Sequence, residues 1–168
     1  MPQTTVYNKT TPAVPGQMML GNQDCFSPVA YLAKTTLKVG YFCFLGRSED
    51  QNTAVNAGTE EISSGPMLGI VPHTLAYAHP TAAASDVVPV NAYVTPFVNG
   101  PIAVKNEGKS AVHCGMRCGA DKATGRPTFY GGSTVPEGVA GSAFRVVKIY
   151  DQGAPGSMVI ISNQTPNS

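Results

Sequence analysis

The chain has 168 residues, of which 12% are charged against about 25% in ordinary globular proteins, and its 11 Lys and Arg and 10 Asp and Glu leave a net charge of +1. No two basic residues are adjacent, so the clustered cations with which a duplex binder neutralises phosphates are missing and no nucleic-acid partner is expected. The sequence contains no run of 18 apolar residues and its first residues lack the basic-then-apolar order of a secretory signal, so no membrane partner is expected and synthesis belongs in a cytosol-like compartment, where the four cysteines stay free thiols.

Glycine (18) and proline (14) are spread so evenly that the longest stretches free of both span 11 residues, at 29–39, 47–57 and 142–152. Glycine inside a helix costs roughly 1 kcal/mol against alanine and proline about 3, so the pattern excludes long helices. It predicts short strands joined by tight turns. A neutral exterior rich in Gly, Ser, Thr, Asn and Ala resists close packing only weakly, which favours a surface covered by a partner or by copies of the chain.

Residues 1–28 hold Pro2, Pro12, Pro15 and Pro28 among polar residues, and are expected to form an extended arm, reaching roughly 90 Å at full stretch. Its apolar residues Val6, Tyr7, Val14, Met18, Met19 and Leu20 are the candidate partner-binding residues. Residues 29–168 are expected to be one β-rich domain, long enough to bury about 70% of the surface of the unfolded chain.

Regular structure is expected to begin near Leu37. Leu37, Val39, Tyr41, Cys43 and Leu45 would share one face of a strand and Lys38, Gly40, Phe42 and Phe44 the other. Beyond Gly40 both faces are apolar, as in a strand covered on two sides. The polar stretch 47–64 reads as a long loop, with a short edge strand at 53–56. Strands follow at 66–71, 74–78 and 87–98, the last interrupted at Pro89 and Pro96 and therefore placed at an edge or bulge. Ile102 and Val104 lead into a turn at 106–109, with the chain returning through 111–113. A second reversal at 123–125 joins 116–120 to 127–130, and strands at 143–150 and 158–161 close the chain. Eight to ten strands spaced in this way predict an all-β fold, a sandwich or barrel of jelly-roll or related type.

Few residues suggest chemistry. His113, Cys114 and Cys118, with Cys25 or His73, could be drawn as metal ligands, but strand geometry sets Cys114 and Cys118 about 13 Å apart. Structural zinc usually takes two closely spaced ligand pairs, so no metal is expected. Cys25 and His79 could be drawn as a nucleophile and its base, but no nucleophile elbow, phosphate loop or zincin helix accompanies them. No catalytic residue and no cofactor is expected.

Val104, Lys105, Asn106, Glu107 and Gly108, followed by Gly115, Met116, Ala120, Ala123, Thr124, Gly125 and Phe129, resemble the C-terminal half of the capsid cement (decoration) proteins of tailed bacteriophages. Upstream, Val39, Gly40, Tyr41 and Phe42, then Asn56, Ala57 and Gly58, then Gly69, Ile70, Val71, Pro72 and His73 are similar to that family in order. They follow a Pro-rich opening at 13–17, and the likeness covers roughly 13–149. It departs at 99–102, where that family carries an aromatic residue. The resemblance implies a non-enzymatic virion protein, made in the host cytoplasm, that binds the outside of the mature capsid and bridges major capsid protein subunits. A body seated at a symmetry axis is expected to be a dimer or trimer. The alternatives are a jelly-roll enzyme or small-ligand binding protein, or another virion component such as a tail or fibre protein.

Overall fold

The computed structural model describes residues 13–19, 25–46, 53–56, 66–73 and 87–164. The strands are β1 (Tyr31–Ala33), β2 (Leu37–Lys38), β3 (Phe42–Leu45), β4 (Thr53–Val55), β5 (Met67–Ile70) and β6 (Val87–Val88), then β7 (Tyr93–Val94), β8 (Pro101–Lys105), β9 (Arg117–Asp121), β10 (Pro127–Tyr130), β11 (Val139–Ile149) and β12 (Met158–Ser162). One sheet runs β5-β3-β4-β1-β7, a second β10-β9-β11-β12-β8, and β2 pairs with β6 alone. The fold is an all-β sandwich whose sheets curl into a half-barrel.

The two large sheets share one core. Phe42, Phe44, Val55, Ile70 and Phe97 from the first meet Ile102, Val104, Phe144, Val146, Val159 and Ile161 from the second. Phe42 and Phe144 pack edge to face with centroids 6.2 Å apart, a geometry that aromatic quadrupoles favour. On the other face of the first sheet, Ala33, Val39, Cys43 and Ala54 meet Leu37 and Val88 of the β2–β6 pair. β3 is therefore covered on both faces, with Phe42 and Phe44 in one core and Cys43 in the other, as its two apolar faces predict.

Several expected elements differ. The strand starting at Leu37 is two strands, because a turn in which the Tyr41 N–H bonds the Lys38 carbonyl (3.3 Å) sends β2 and β3 to different sheets. The stretch at 53–55 is internal rather than an edge: β4 lies between β3 and β1, and small Ala54 and Val55, both 0% exposed, fit between two packed layers. The interrupted strand at 87–98 becomes β6 and β7, which likewise join different sheets. No strand forms at 111–113, and the strand expected at 74–78 lies outside the described residues. β11 carries a register shift between Val146 and Lys148. The bulge reverses strand parity, so that Phe144 and Val146 point inward before it and Ile149 after it.

Candidate functional site

The chain uses part of its own N-terminal region to close a sheet edge. Residues 13–19 lie along β8, where the Gly16 N–H donates to the Ala103 carbonyl (2.7 Å), the Ala103 N–H to the Gln17 carbonyl (2.9 Å) and the Met19 N–H to the Pro101 carbonyl (3.1 Å). Gly16 is required there: at φ +73 it sits where a Cβ would come 2.5 Å from Val39 Cγ1 and 2.7 Å from the His73 nitrogen. Ala13 covers Ala103, Met158 and Ile160 on the outer face of the second sheet. Further along, Cys25 is buried, its carbonyl accepts from the Val98 N–H (2.7 Å), and Phe26 packs edge to face on Phe97. Within the segment read as an arm, residues 13–19 and 25–28 thus lie against the body.

Of the candidate partner-binding residues, Val14 is 45% and Met19 39% exposed, while Met18 packs partly into the sandwich core. Val6, Tyr7 and Leu20 lie outside the described residues. A second apolar surface, not anticipated from the sequence, is carried by the segments around β1, β6 and β7, where Val29, Val87, Val90 and Tyr93 are exposed. Alternation could have flagged Val87 and Tyr93. It could not have shown that turns bring them near β1. Among the described residues the exposed large apolar side chains also include Val135 and Val147.

The Val104 to Gly108 motif ties the end of β8 to β2 and the β2–β3 turn. Lys38 Nζ lies 3.1 Å from Glu107 Oε1 and 2.8 Å from the Tyr41 hydroxyl, which donates to Glu107 Oε2, and the ammonium stands 4.3 Å from the centre of the Tyr41 ring. Burial opposes ionisation of Glu107, but hydrogen bonds from Tyr41 and Lys38 outweigh it and hold the carboxyl below its ordinary 4.5. Burial also disfavours the Lys38 charge, and hydrogen bonding to Tyr41 and Glu107 overcomes this and raises it above 10.5. Burial, with the bond to Glu107, raises Tyr41 above 10.0. These groups satisfy one another as a cross-sheet clamp.

Asn106, 1% exposed, directs Nδ2 at the carbonyls of Ser110 (3.0 Å), Gly153 (2.9 Å) and Ala154 (3.3 Å), while Oδ1 accepts from the Gly108 N–H (3.0 Å). It staples the loop after β8 to the turn before β12. The Ala123, Thr124 and Gly125 reversal is positioned in the same way. Asp121 Oδ1 accepts the Ala123 N–H (2.8 Å), Gly125 takes φ +74, and a Cβ there would collide with the Phe42 carbonyl of the opposite sheet.

The residues considered for chemistry do not converge. All four cysteines are free thiols, with Cys25, Cys43 and Cys118 buried and Cys114 exposed. Burial pushes the Cys43 thiol up to about 12 and raises Cys118 still further, which suppresses the reactive thiolate at both. His113 is exposed and His73 half-buried, and His79 lies outside the described residues. Among the described residues no three His, Cys, Asp or Glu side chains come together. A groove of 260 Å³ beside β11 carries Arg145 as its one charged group.

The chain matches known proteins in sequence and in fold. The family model described as structural cement protein (E217 gp24/Pam3 gp6) matches residues 2–163. A chain of the solved capsid of Myoviridae phage XM1 shares the fold, with a TM-score of 0.60 over 96% of each chain at 12% identity. No curated protein sequence matches. With the family model spanning nearly the whole chain, this protein belongs to the phage structural cement protein family and is a structural, capsid-associated protein of the virion.

Proposed function

We propose that this protein binds the outer surface of the mature capsid and stabilises it by bridging adjacent major capsid protein subunits, without catalysis of its own. The observation that carries this reading is the structural cement family match over residues 2–163, and exposed Val14 and Met19 beside β8 and Val29, Val87, Val90 and Tyr93 around β1, β6 and β7 offer apolar side chains for the contacts. A bridge needs two contacts on a rigid body. The shared core and the Lys38, Tyr41 and Glu107 clamp supply that rigidity.

A protein that binds only the assembled shell stabilises it by RT ln(1 + [L]/Kd) per site, and engaging two subunits at once adds an effective-concentration gain. Residues 1–12 act as the clasp, with Val6 and Tyr7 as its apolar contacts, and Val14, Met18, Met19 and Leu20 are the further candidate contact residues. The body works as a dimer or trimer at a symmetry axis.

Deleting residues 2–12 should weaken binding to expanded shells at least tenfold while leaving the unfolding transition unchanged, because the β8 edge keeps its partner. Cryo-electron microscopy of decorated shells locates the contacts. Undiminished decoration by the truncated chain, or density confined to a single coat subunit, would remove the bridging reading.

A further inference from the structure

β9 and β11 set two arginines side by side on the outer face of the second sheet. Phe144 and Val146 of β11 and Cys118 of β9 point into the core, so alternation turns Arg145 and Arg117 outward. Arg145 is exposed, Arg117 is half-buried, and the two are direct cross-strand partners, which places their Cβ atoms about 5 Å apart. Like charges so placed repel and weaken the sheet. Among the described residues no acid offsets this. The described acids are Glu107, Asp121, Glu137 and Asp151; Glu107 holds Lys38 and Asp121 holds Arg126, while Glu137 and Asp151 lie beyond the two ends of β11.

The bulge in β11 adds a third cation. Strict alternation from Val146 would turn Lys148 toward the core, but Val147 is an extra residue and Lys148 opposes Ile160. Ile160 belongs to the outer face with Ala103 and Met158, so Lys148 joins Arg145 there, its ammonium 5.0 Å from the centre of the Tyr150 ring. A chain with a net charge of only +1 thus gathers three cations on one face without a described counter-charge. Arg145 and exposed Val147 also line the 260 Å³ groove, together with Gly115, Ala143 and Asn163.

We propose that Arg117, Arg145 and Lys148 dock an acidic segment of the major capsid protein, with a carboxylate seated between the two guanidinium groups and a neighbouring aliphatic side chain in the groove against Val147. Charge complementarity selects this occupant. Each arginine offers a planar fork of N–H donors that a carboxylate accepts bidentately, and an anion between the two turns their repulsion into attraction. A second copy meeting this face through the same face would set cation against cation. A free inorganic anion would leave the apolar wall of the groove uncovered.

The proposal rests on the capsid-bridging reading and names one of its contacts, and the test separates the two. Binding of the full-length protein to expanded shells is measured across a range of salt, with urea unfolding as the second readout. Arg117→Gln combined with Arg145→Gln should weaken shell binding at least tenfold and flatten its salt dependence, while the urea midpoint stays level or rises because the repulsion is gone. Arg145→Lys places a primary amine at the site, so carbodiimide treatment of shells decorated with that variant should join position 145 to an Asp or Glu of the major capsid protein, as mass spectrometry of the digest would show. Undiminished affinity with unchanged salt dependence in the double variant, or a position 145 linked back to this protein or not linked to the coat, overturns the proposal and leaves the bridging function standing. A lowered urea midpoint in the double variant would make the arginine pair a structural one and overturns it as well. A parent chain that decorates no shell removes the bridging reading and this contact together.

Discussion

Replacing Asn106 with alanine isolates the cost of the staple that joins the two halves of the C-terminal sheet. The two amide protons of Asn106 are shared among the carbonyls of Ser110, Gly153 and Ala154, and its oxygen takes the Gly108 N–H. Three bonds can therefore be made at once, and the site is 1% exposed. At about 1 kcal/mol for each bond, and with water poorly placed to replace them, Asn106→Ala should cost about 3 kcal/mol. For a domain of this length that corresponds to a melting point lower by roughly 6–12 °C. Urea unfolding is the assay: the midpoint should fall while the slope stays constant, because the surface exposed on unfolding does not change. Asn106→Asp, which keeps the shape but turns a carboxylate toward three carbonyls, should cost more than alanine. A loss below about 1 kcal/mol for alanine, or an aspartate variant as stable as the parent, would mean that solvent satisfies these carbonyls and that the staple reasoning is wrong.

The clamp predicts a pH dependence with a definite sign. Glu107 is held below 4.5, so its contribution is present above that pH and lost as pH falls through the lower folded value, whereas Lys38 and Tyr41, raised above 10.5 and 10.0, contribute fully below about pH 10 and lose their contribution as pH climbs through the folded values. Glu107→Gln should flatten the acid limb of the urea midpoint, and parallel acid limbs for parent and variant would count against the clamp. Gly125→Ala places a Cβ against the Phe42 carbonyl in a left-handed conformation and should cost roughly 2 kcal/mol or more; a neutral result in thermal unfolding would show that the reversal can lift off the opposite sheet. Under native conditions a thiol reagent should label Cys114 within minutes and Cys25, Cys43 and Cys118 only after unfolding, as mass spectrometry of the digested protein would show, and early labelling of Cys43 or Cys118 would contradict their burial.

The distribution of glycine and proline determined the fold class from sequence alone, because each interrupts a helix by a local, residue-level mechanism that neighbours cannot undo. Local physics also made the 121–126 reversal legible, since its backbone angles depend on the residues within it, and it revealed that β3 would be covered on two faces. Which layers do the covering was settled only by tertiary structure. Residues 53–56 suggest an edge because the stretch is short and polar-flanked, and the bulge at Val147 is invisible in a pattern that looks like simple alternation. Exposed Val29 and exposed Tyr93 lie about 60 residues apart on segments that the pairing of β1 with β7 brings together. The docking of 13–19 on β8 has the same origin: a Pro-rich opening reads as an arm, and only the arrangement in space shows an unpaired edge waiting for it. Periodicity reports which face of an element is apolar. What that face meets depends on contacts distant in sequence, and these exist only once the chain has folded.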